Sequence, residues 1–317
     1  MNFTHNAWNT HKREIAGSKG SIDLNRGGGI HEDVGSHRHS LENVVREQFA
    51  DPQEARDQKK YDKARNLATY LGKIREQYRM DFKSDEDKIR QRAVALYFID
   101  ILGIRVGNRK KEGDTSETAG CCSLRKKHLK LYGEKNNHMV EFDFLGKGSI
   151  RYSNKISVDE IVYSNLQRFL KNKSDEGYVF DLLRTTHLNT YLKTFMDGLT
   201  AKVFRTYHAC RKMQQELDNF ICAKKHQSYK ISYCKDSIKS VAIFLNHQQA
   251  VTKKGGNKEF ETSLTSAKLY YIDPRIVVGW CTKWCVPIEK IYSTSQRGKL
   301  LWAMTAEADY DFLEHAI

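Results

Sequence analysis

No run of apolar residues in this 317-residue chain is long enough to span a bilayer, so no membrane-spanning helix and no membrane partner are expected. The opening stretch, MNFTHNAWNTHKREIAG, lacks the hydrophobic centre of a secretory signal, which argues against export. The seven cysteines are an odd number. They are scattered apart from Cys121-Cys122 and the Cys281/Cys285 pair, and none forms the doubled C-x-x-C pattern of a zinc site. Reduced thiols in a cytosolic or nuclear protein, with no metal centre, are the expectation. Gly27-Gly28-Gly29 lack the G-x-G-x-x-G layout and follow no strand, so they are not a nucleotide loop. No internal repeat is present. Acidic residues are in deficit, 39 against 53 lysines and arginines, a formal charge of +14.

That charge points to a polyanionic partner; nucleic acid ranks first and is the one expected, ahead of an acidic membrane surface. Apolar residues make up 39% and charged residues 29%, with 16 Tyr and 14 Phe, a composition that folds rather than stays disordered. The length corresponds to roughly two domains and suffices for a core without disulfide or metal staples.

Residues 1–57 read as a flexible Gly/His-rich leader, with a histidine cluster between His31 and His39 and little apolar period. Residues 58–250 read as a helical core. Its first segment, from Gln58, has apolar residues near helical spacing with basic residues between them. Ser84-Asp85-Glu86-Asp87 resembles a capping box opening a second, mostly interior helix through Ile89, Ala93, Leu96 and Ile99, with Gly107-Asn108 as its stop. From about 121 to 156 the period changes to two: Val140, Phe142 and Phe144 alternate with Glu141 and Asp143. A small antiparallel sheet of about three strands follows, with Lys147 at a hairpin tip between Gly146 and Gly148. Helices resume at Val158, with Thr200 as one cap and Asp236 or Ser237 as the start of another helix. Residues 251–266 read as a short linker loop, and 267–317 as a C-terminal domain whose helix is opened by Asp273-Pro274, with Tyr271 just outside it. The fold class is therefore mainly α with a small antiparallel β-sheet.

Three basic residues sit where a core has little use for them. Arg105 interrupts the apolar series ILGIRVG, Arg205 follows Val203-Phe204 with Lys202 one turn back, and His247 ends the run VAIFLNH. Each has an ordinary explanation: a buried ion pair, a solvated face, a helix carbonyl. Spacing alone does not bring them together.

The segments RQRAVALYFIDILGIRVGN, EGDTSETAGCCSLR, EFDFLGKGSIRYSNK, GLTAKVFRTYHA, VAIFLNHQQA and KLYYIDPRIVVGWCTKWCVPIEKIYSTSQRGKLLWA resemble the eukaryotic type IB DNA topoisomerases. The similarity runs from about Tyr61 to about Phe312, with the blocks in family order. It implies the DNA breaking-rejoining catalytic fold shared with tyrosine recombinases. Residue by residue, it implies that Arg105 and Arg205 contact the scissile phosphate, that His247 hydrogen-bonds the same phosphate, that Lys147 is the general acid and that Tyr271 is the nucleophile. Asn108 and Lys202 match positions beside the DNA. The implied activity is relaxation of supercoiled double-stranded DNA through a transient 3′-phosphotyrosine, without ATP, metal or other cofactor, by a monomer in the nucleus.

These residue types suit that chemistry. A phenol ionises near pH 10 and is a poor nucleophile toward an anionic phosphodiester. Two guanidiniums and an imidazole offset the repulsion and bind the charge that grows in the transition state. The departing 5′ oxygen needs a proton, which a lysine can donate.

The chain also departs from the family. No cap region is recognisable ahead of the core, so an open clamp with weaker DNA binding is expected, or a separate cap polypeptide as partner. The long coiled-coil linker is reduced to the loop around Lys253 to Ser263. The family's charged nuclear-targeting tail is not seen. Gly148 and Tyr270 replace an Asp and an Asn that contact camptothecin in the family. Two other readings remain: a cap-less DNA-binding fragment with little turnover, and a tyrosine recombinase.

Overall fold

A computed structural model describes residues 52–109, 117–134, 137–221, 224–252 and 258–313. The glycine run at 27–29 and the histidines at 31–39 lie outside them. Helix α1, Pro52–Asp81, begins inside the segment expected to be leader, because the regular apolar face that starts at Tyr61 extends back by two and a half turns of good helix formers. Tyr61, Leu67, Ile74 and Tyr78 on that face are buried against the helices that follow.

Helix α2, Asp87–Leu102, is mostly interior from Gln91 onward. Its start and stop both differ from the sequence reading. Ser84 does not cap it: the Ser84 hydroxyl accepts from the Glu86 amide at 3.2 Å, and Glu86 is the capping position. The helix ends at Gly103, which adopts the left-handed conformation (φ 58°) and returns its N–H to the Ile99 carbonyl at 3.1 Å. Gly107 is also left-handed, but it lies in the extended segment beyond.

Strands β1 (Leu129–Glu134), β2 (Asn137–Leu145) and β3 (Arg151–Ser157) form an antiparallel sheet in that order. Val140, Phe142 and Phe144 face the core as their alternation predicts, and Phe142 meets Phe98 of α2 edge-on. Burying side chains of this size contributes roughly 1.5–3 kcal/mol each, which fixes the sheet on α2. Strand β3 is an edge strand and largely exposed.

Helices α3 (Glu160–Leu170), α4 (Thr185–Lys193), α5 (Ala201–Asp218) and α6 (Gln227–Phe244) follow. Thr200 occupies the capping position of α5, and the chain turns into it at left-handed Gly198. Helix α6 runs straight through Asp236 and Ser237 instead of starting there: burial of Cys234, Ile238 and Val241 on one face outweighs the weak preference of Ser and Asp for helix starts.

The described part of the stretch expected to be a linker loop, residues 251–252 and 258–266, is mostly strand and helix, and residues 253–257 lie outside the described residues. Strands β4 (Gln248–Thr252) and β5 (Lys258–Thr262) pair as an antiparallel hairpin, followed by the short helix α7 (Leu264–Tyr270). Helix α8 (Pro274–Lys283) has Asp273 as its cap, accepting from the Arg275 amide at 3.0 Å, and Pro274 in its first turn, as the sequence predicts. Helix α9, Thr294–Gly298, is the last α-helix among the described residues.

Two polar clusters tie these elements together. Asp100 of α2 is fully buried and accepts from Arg75 and Tyr78 of α1 and bonds His208 of α5. Burial alone would raise its carboxyl; the hydrogen bonds to His208 and Arg75 outweigh it and hold it down at about 2. Arg275 of α8 binds both Asp273 and Asp62 of α1 at 2.8 Å, and the Tyr310 hydroxyl donates to Asp273 at 3.0 Å. Among the described residues no helix is long and apolar enough to cross a membrane.

Candidate active site

Arg105 lies three residues past the end of α2. Its segment is pinned to the strip at 120–122: the Cys121 amide donates to the Arg105 carbonyl at 2.8 Å and the Cys122 amide to Val106 at 2.7 Å. The two backbones touch at a pair of glycines. A Cβ on Gly107 would stand 2.5 Å from the Gly120 Cα, and one on Gly120 2.6 Å from the Gly107 Cα. Only a residue without a side chain permits that approach. The Thr185 hydroxyl closes the segment from below, donating to the Gly107 carbonyl at 2.7 Å.

Arg205 projects from α5 and is 4% exposed. Its guanidinium donates to the Gly103 carbonyl and, at 3.1 Å, to the Leu245 carbonyl. It therefore joins the chain just past α2 to the chain just past α6. Burial pushes its pKa down to about 10, which leaves it charged at neutral pH. Its guanidinium carbon sits 5.2 Å from the centre of the Tyr271 ring.

His247 follows α6. Its amide donates to the Ala242 carbonyl at 2.8 Å and its carbonyl accepts from the Ser263 amide at 2.9 Å, so the β4–β5 hairpin and the helix hold it from both sides. The ring lies 5.0 Å from the Tyr271 ring. Both ring nitrogens are buried without a hydrogen-bond partner. Burial, and then the charges of Arg205 and Arg105, lower its pKa to about 3, so the imidazole is neutral.

Tyr271 is 6% exposed. It lies two residues before the Asp273 cap of α8, just outside that helix as expected, and it also caps the C-terminal end of α7, its amide donating to the Ala267 carbonyl at 3.1 Å. The end of α7 disfavours negative charge there and the start of α8 favours it, so the neighbouring guanidiniums decide the local charge. The Arg105 Nη1 donates to the Tyr271 hydroxyl at 3.1 Å. Burial raises the phenol, but Arg205 and Arg105 outweigh it and leave its pKa below the ordinary value. From behind, the Cys210 thiol of α5 donates to the Tyr271 carbonyl and accepts from the Asp273 amide, both at 3.2 Å.

Arg105, Arg205, His247 and Tyr271 thus meet at one point. Lys147 stands on the rim, exposed in the β2–β3 turn, and lines the same cleft. The cleft has a volume of about 810 Å³ and is also lined by Asn108, Lys202 and Tyr270, each exposed. Lys60 of α1 lines it as well; sequence reasoning missed it, because a lysine among basic neighbours on a helix carries no distinguishing signal. The Gly107/Gly120 contact and the Cys210 bridge were missed for a similar reason, since both join residues distant in sequence. The basic side chains of Arg105, Arg205, Lys147, Lys202 and Lys60, with the neutral donors His247 and Tyr271, around an open space of this size suit an anion such as a phosphodiester. Among the described residues no group of three or more His, Cys, Asp or Glu side chains is placed to hold a metal ion.

Residues 50–271 match the family model described as eukaryotic DNA topoisomerase I, catalytic core, and residues 244–312 that of the C-terminal topoisomerase domain. The chain belongs to the eukaryotic DNA topoisomerase I family. It is 41% identical to DNA topoisomerase 1 of Homo sapiens over 81% of this chain and 43% of that protein. It is 38% identical to the mitochondrial DNA topoisomerase I of Homo sapiens over 80% of this chain and 54% of that protein. The mitochondrial form of Rattus norvegicus is 36% identical over 87% of this chain and 58% of that protein. The chain thus spans about half the length of the curated relatives it matches. The mainly helical architecture with its small antiparallel sheet fits the DNA breaking-rejoining fold of the topoisomerase I core.

Proposed function

We propose that this chain is a type IB DNA topoisomerase that relaxes supercoiled duplex DNA. The observation that carries the reading is the Tyr271 hydroxyl, held by Arg105, flanked by Arg205 and facing the unpartnered His247 nitrogens. In this reading a backbone phosphate enters between them. Arg105 and Arg205 neutralise its non-bridging oxygens, and neutral His247 donates one N–H to them. The Tyr271 oxygen attacks phosphorus in line, its proton passing to water. The bond to the 5′ oxygen breaks with its electron pair, and Lys147 supplies the proton that oxygen needs. The product is a 3′-phosphotyrosine with a free 5′ hydroxyl. The ester keeps the energy of the broken bond, so attack by the 5′ hydroxyl reverses the step without ATP. While the strand is open, the free end of the duplex rotates.

Asn108, Lys202 and Lys60 line the route by which the backbone reaches Tyr271 and bind it without reading sequence. All five reacting side chains lie on one chain, so the reading needs no second protomer. Its compartment is one that holds DNA; we assign the nucleus, with the relatives named as mitochondrial marking the other choice. A cap polypeptide added to the assay raises plasmid affinity.

The test is plasmid relaxation by the purified chain in EDTA without ATP, with denaturant-trapped adducts resolved on gels. Relaxation and a 3′-linked adduct are expected, both lost in Tyr271→Phe. An adduct that persists in Tyr271→Phe would remove the assigned nucleophile, and salt-dependent DNA binding without relaxation at any protein concentration would favour a DNA-binding role alone.

A further inference from the structure

We propose that Asn246 is a positioning residue for Lys147, tying the turn that carries the proton donor to the segment that carries His247. The proposal rests on the reading of Lys147 as the acid of strand cleavage. The foot of the turn between β2 and β3 is closed by the ladder up to Leu145 and Arg151 and by two bonds from Arg151 to Asp143, none of which reaches across to the His247 segment. Gly148 and Ser149 are both left-handed (φ 75° and 57°), Lys147 is exposed, and β3 is an exposed edge strand. Inside the turn the Gly146 amide donates to the Ile150 carbonyl at 2.7 Å, which closes the loop but does not orient it against the site.

Asn246 supplies the orientation. It is left-handed (φ 52°), a conformation asparagine tolerates better than most residues and one that lets the chain turn sharply out of α6 into His247. Its side-chain amide donates to the Arg151 carbonyl at 3.2 Å, at the foot of the Lys147 turn. Its carbonyl oxygen accepts from Gln248 Nε2, also at 3.2 Å, so both ends of the amide are engaged and only one of its two orientations satisfies both bonds. A cavity of about 270 Å³ separates the two segments, with Lys147 and Gly148 on one wall and Asn246 and His247 on the other. The Asn246 bond therefore sets the width of this gap. A lysine that must reach the oxygen leaving phosphorus, while His247 holds the same phosphate, depends on that width.

The experiment is single-turnover cleavage of a duplex with one mapped cleavage site, made with either oxygen or sulfur at the 5′ bridging position. A thiol ionises near pH 8.5, so a thiolate leaves without needing the proton that an alkoxide needs. Asn246→Gly removes the amide but keeps the left-handed backbone open to the residue. It is expected to slow cleavage of the oxygen duplex by about tenfold and to leave the sulfur duplex near the unaltered rate. Lys147→Ala is the control and is expected to be restored by sulfur in the same way. Equal slowing of Asn246→Gly on both duplexes, or no slowing on either, overturns the proposal while a restored Lys147→Ala keeps the reading of Lys147. A Lys147→Ala protein that sulfur does not restore removes that reading, and the tether with it.

Discussion

Arg105 donates a hydrogen bond of 3.1 Å to the hydroxyl of Tyr271, a residue 166 positions later in the chain. The bond joins the end of α2 to the end of α7 and places a fixed positive charge on the phenol oxygen. Arg105→Ala is expected to slow strand cleavage by about 10²- to 10³-fold, the usual loss for one preorganised donor. Arg105→Lys should recover little of it, because an ammonium lacks the planar fork that spans two oxygens. Single-turnover adduct formation measures both.

The pH profile of cleavage follows from the same pair. In the proposed reaction the phenol attacks as its anion, and its pKa lies below the ordinary value near 10 because Arg205 and Arg105 outweigh burial. Cleavage should rise with pH and level off below pH 10. In Arg105→Ala the inflection should move upward, and an unchanged inflection would show that Arg105 does not act on the phenol.

His247 predicts a second pH effect, on stability. Its pKa in the folded chain is depressed to about 3, against about 6.5 in an unfolded chain. The unfolded state therefore binds the extra proton first as pH falls. The contribution of the neutral ring is fully present above about pH 6.5 and is lost progressively down to about pH 3. Denaturant unfolding of the free protein across this range should show a steeper loss than in His247→Gln. A His247 ring that titrates near pH 6.5 in NMR spectra would contradict this.

Asp100 titrates in a lower window. Its carboxyl is held at about 2 in the fold, so its contribution is present above about pH 4 and lost toward pH 2. Asp100→Asn leaves Arg75 and His208 without their buried counter-charge and should cost about 3 kcal/mol, read as a lower denaturation midpoint.

Gly120→Ala tests the backbone crossing that seats Arg105. The new Cβ would stand 2.6 Å from the Gly107 Cα and 2.8 Å from the Arg105 carbonyl oxygen, and neither is a side chain that can move aside. Gly120 has ordinary backbone angles (φ −148°), so the substitution tests proximity alone. A loss of about 2 kcal/mol is expected, together with slower cleavage. Unaltered melting and cleavage would show that the crossing does not hold Arg105.

Tyr270 is 56% exposed and, with Gly148, lines the cleft beside Tyr271. These positions contact camptothecin in the resembled family, so the drug should fail to accumulate cleaved DNA with this chain. Gly148→Asp combined with Tyr270→Asn should restore trapping. Strong trapping by the unaltered chain would refute the expectation.

Much of the fold was legible where local pattern and burial agree. The β2 alternation at Val140, Phe142 and Phe144 and the Asp273-Pro274 helix start are of this kind. The misread boundaries lie where several local signals compete. Gly103 and Gly107 are equally good helix stops by composition, and what decides is the Gly103 amide returning to Ile99. Asp236 and Ser237 look like a helix start until Cys234 and Ile238 are seen buried on either side. The strand pair at 248–252 and 258–262 was hidden because its residues are mostly polar and carry no clean alternation. Spacing alone marked Arg105, Arg205 and His247 as unusual but did not join them. Family resemblance grouped them with Lys147 and Tyr271, while the bonds that seat them, such as Gly107 on Gly120, link residues too far apart for any local pattern to register.

The thiol of Cys210 clasps the main chain on both sides of Ile272, and it grows from the same helix as Arg205. One helix therefore carries the buried Arg205 cation and grips the backbone of the phenol. In the proposed reaction, any tilt of that rod as duplex enters would shift both together and leave the spacing between them nearly constant, so the pair would be buffered against the motions that admit the substrate.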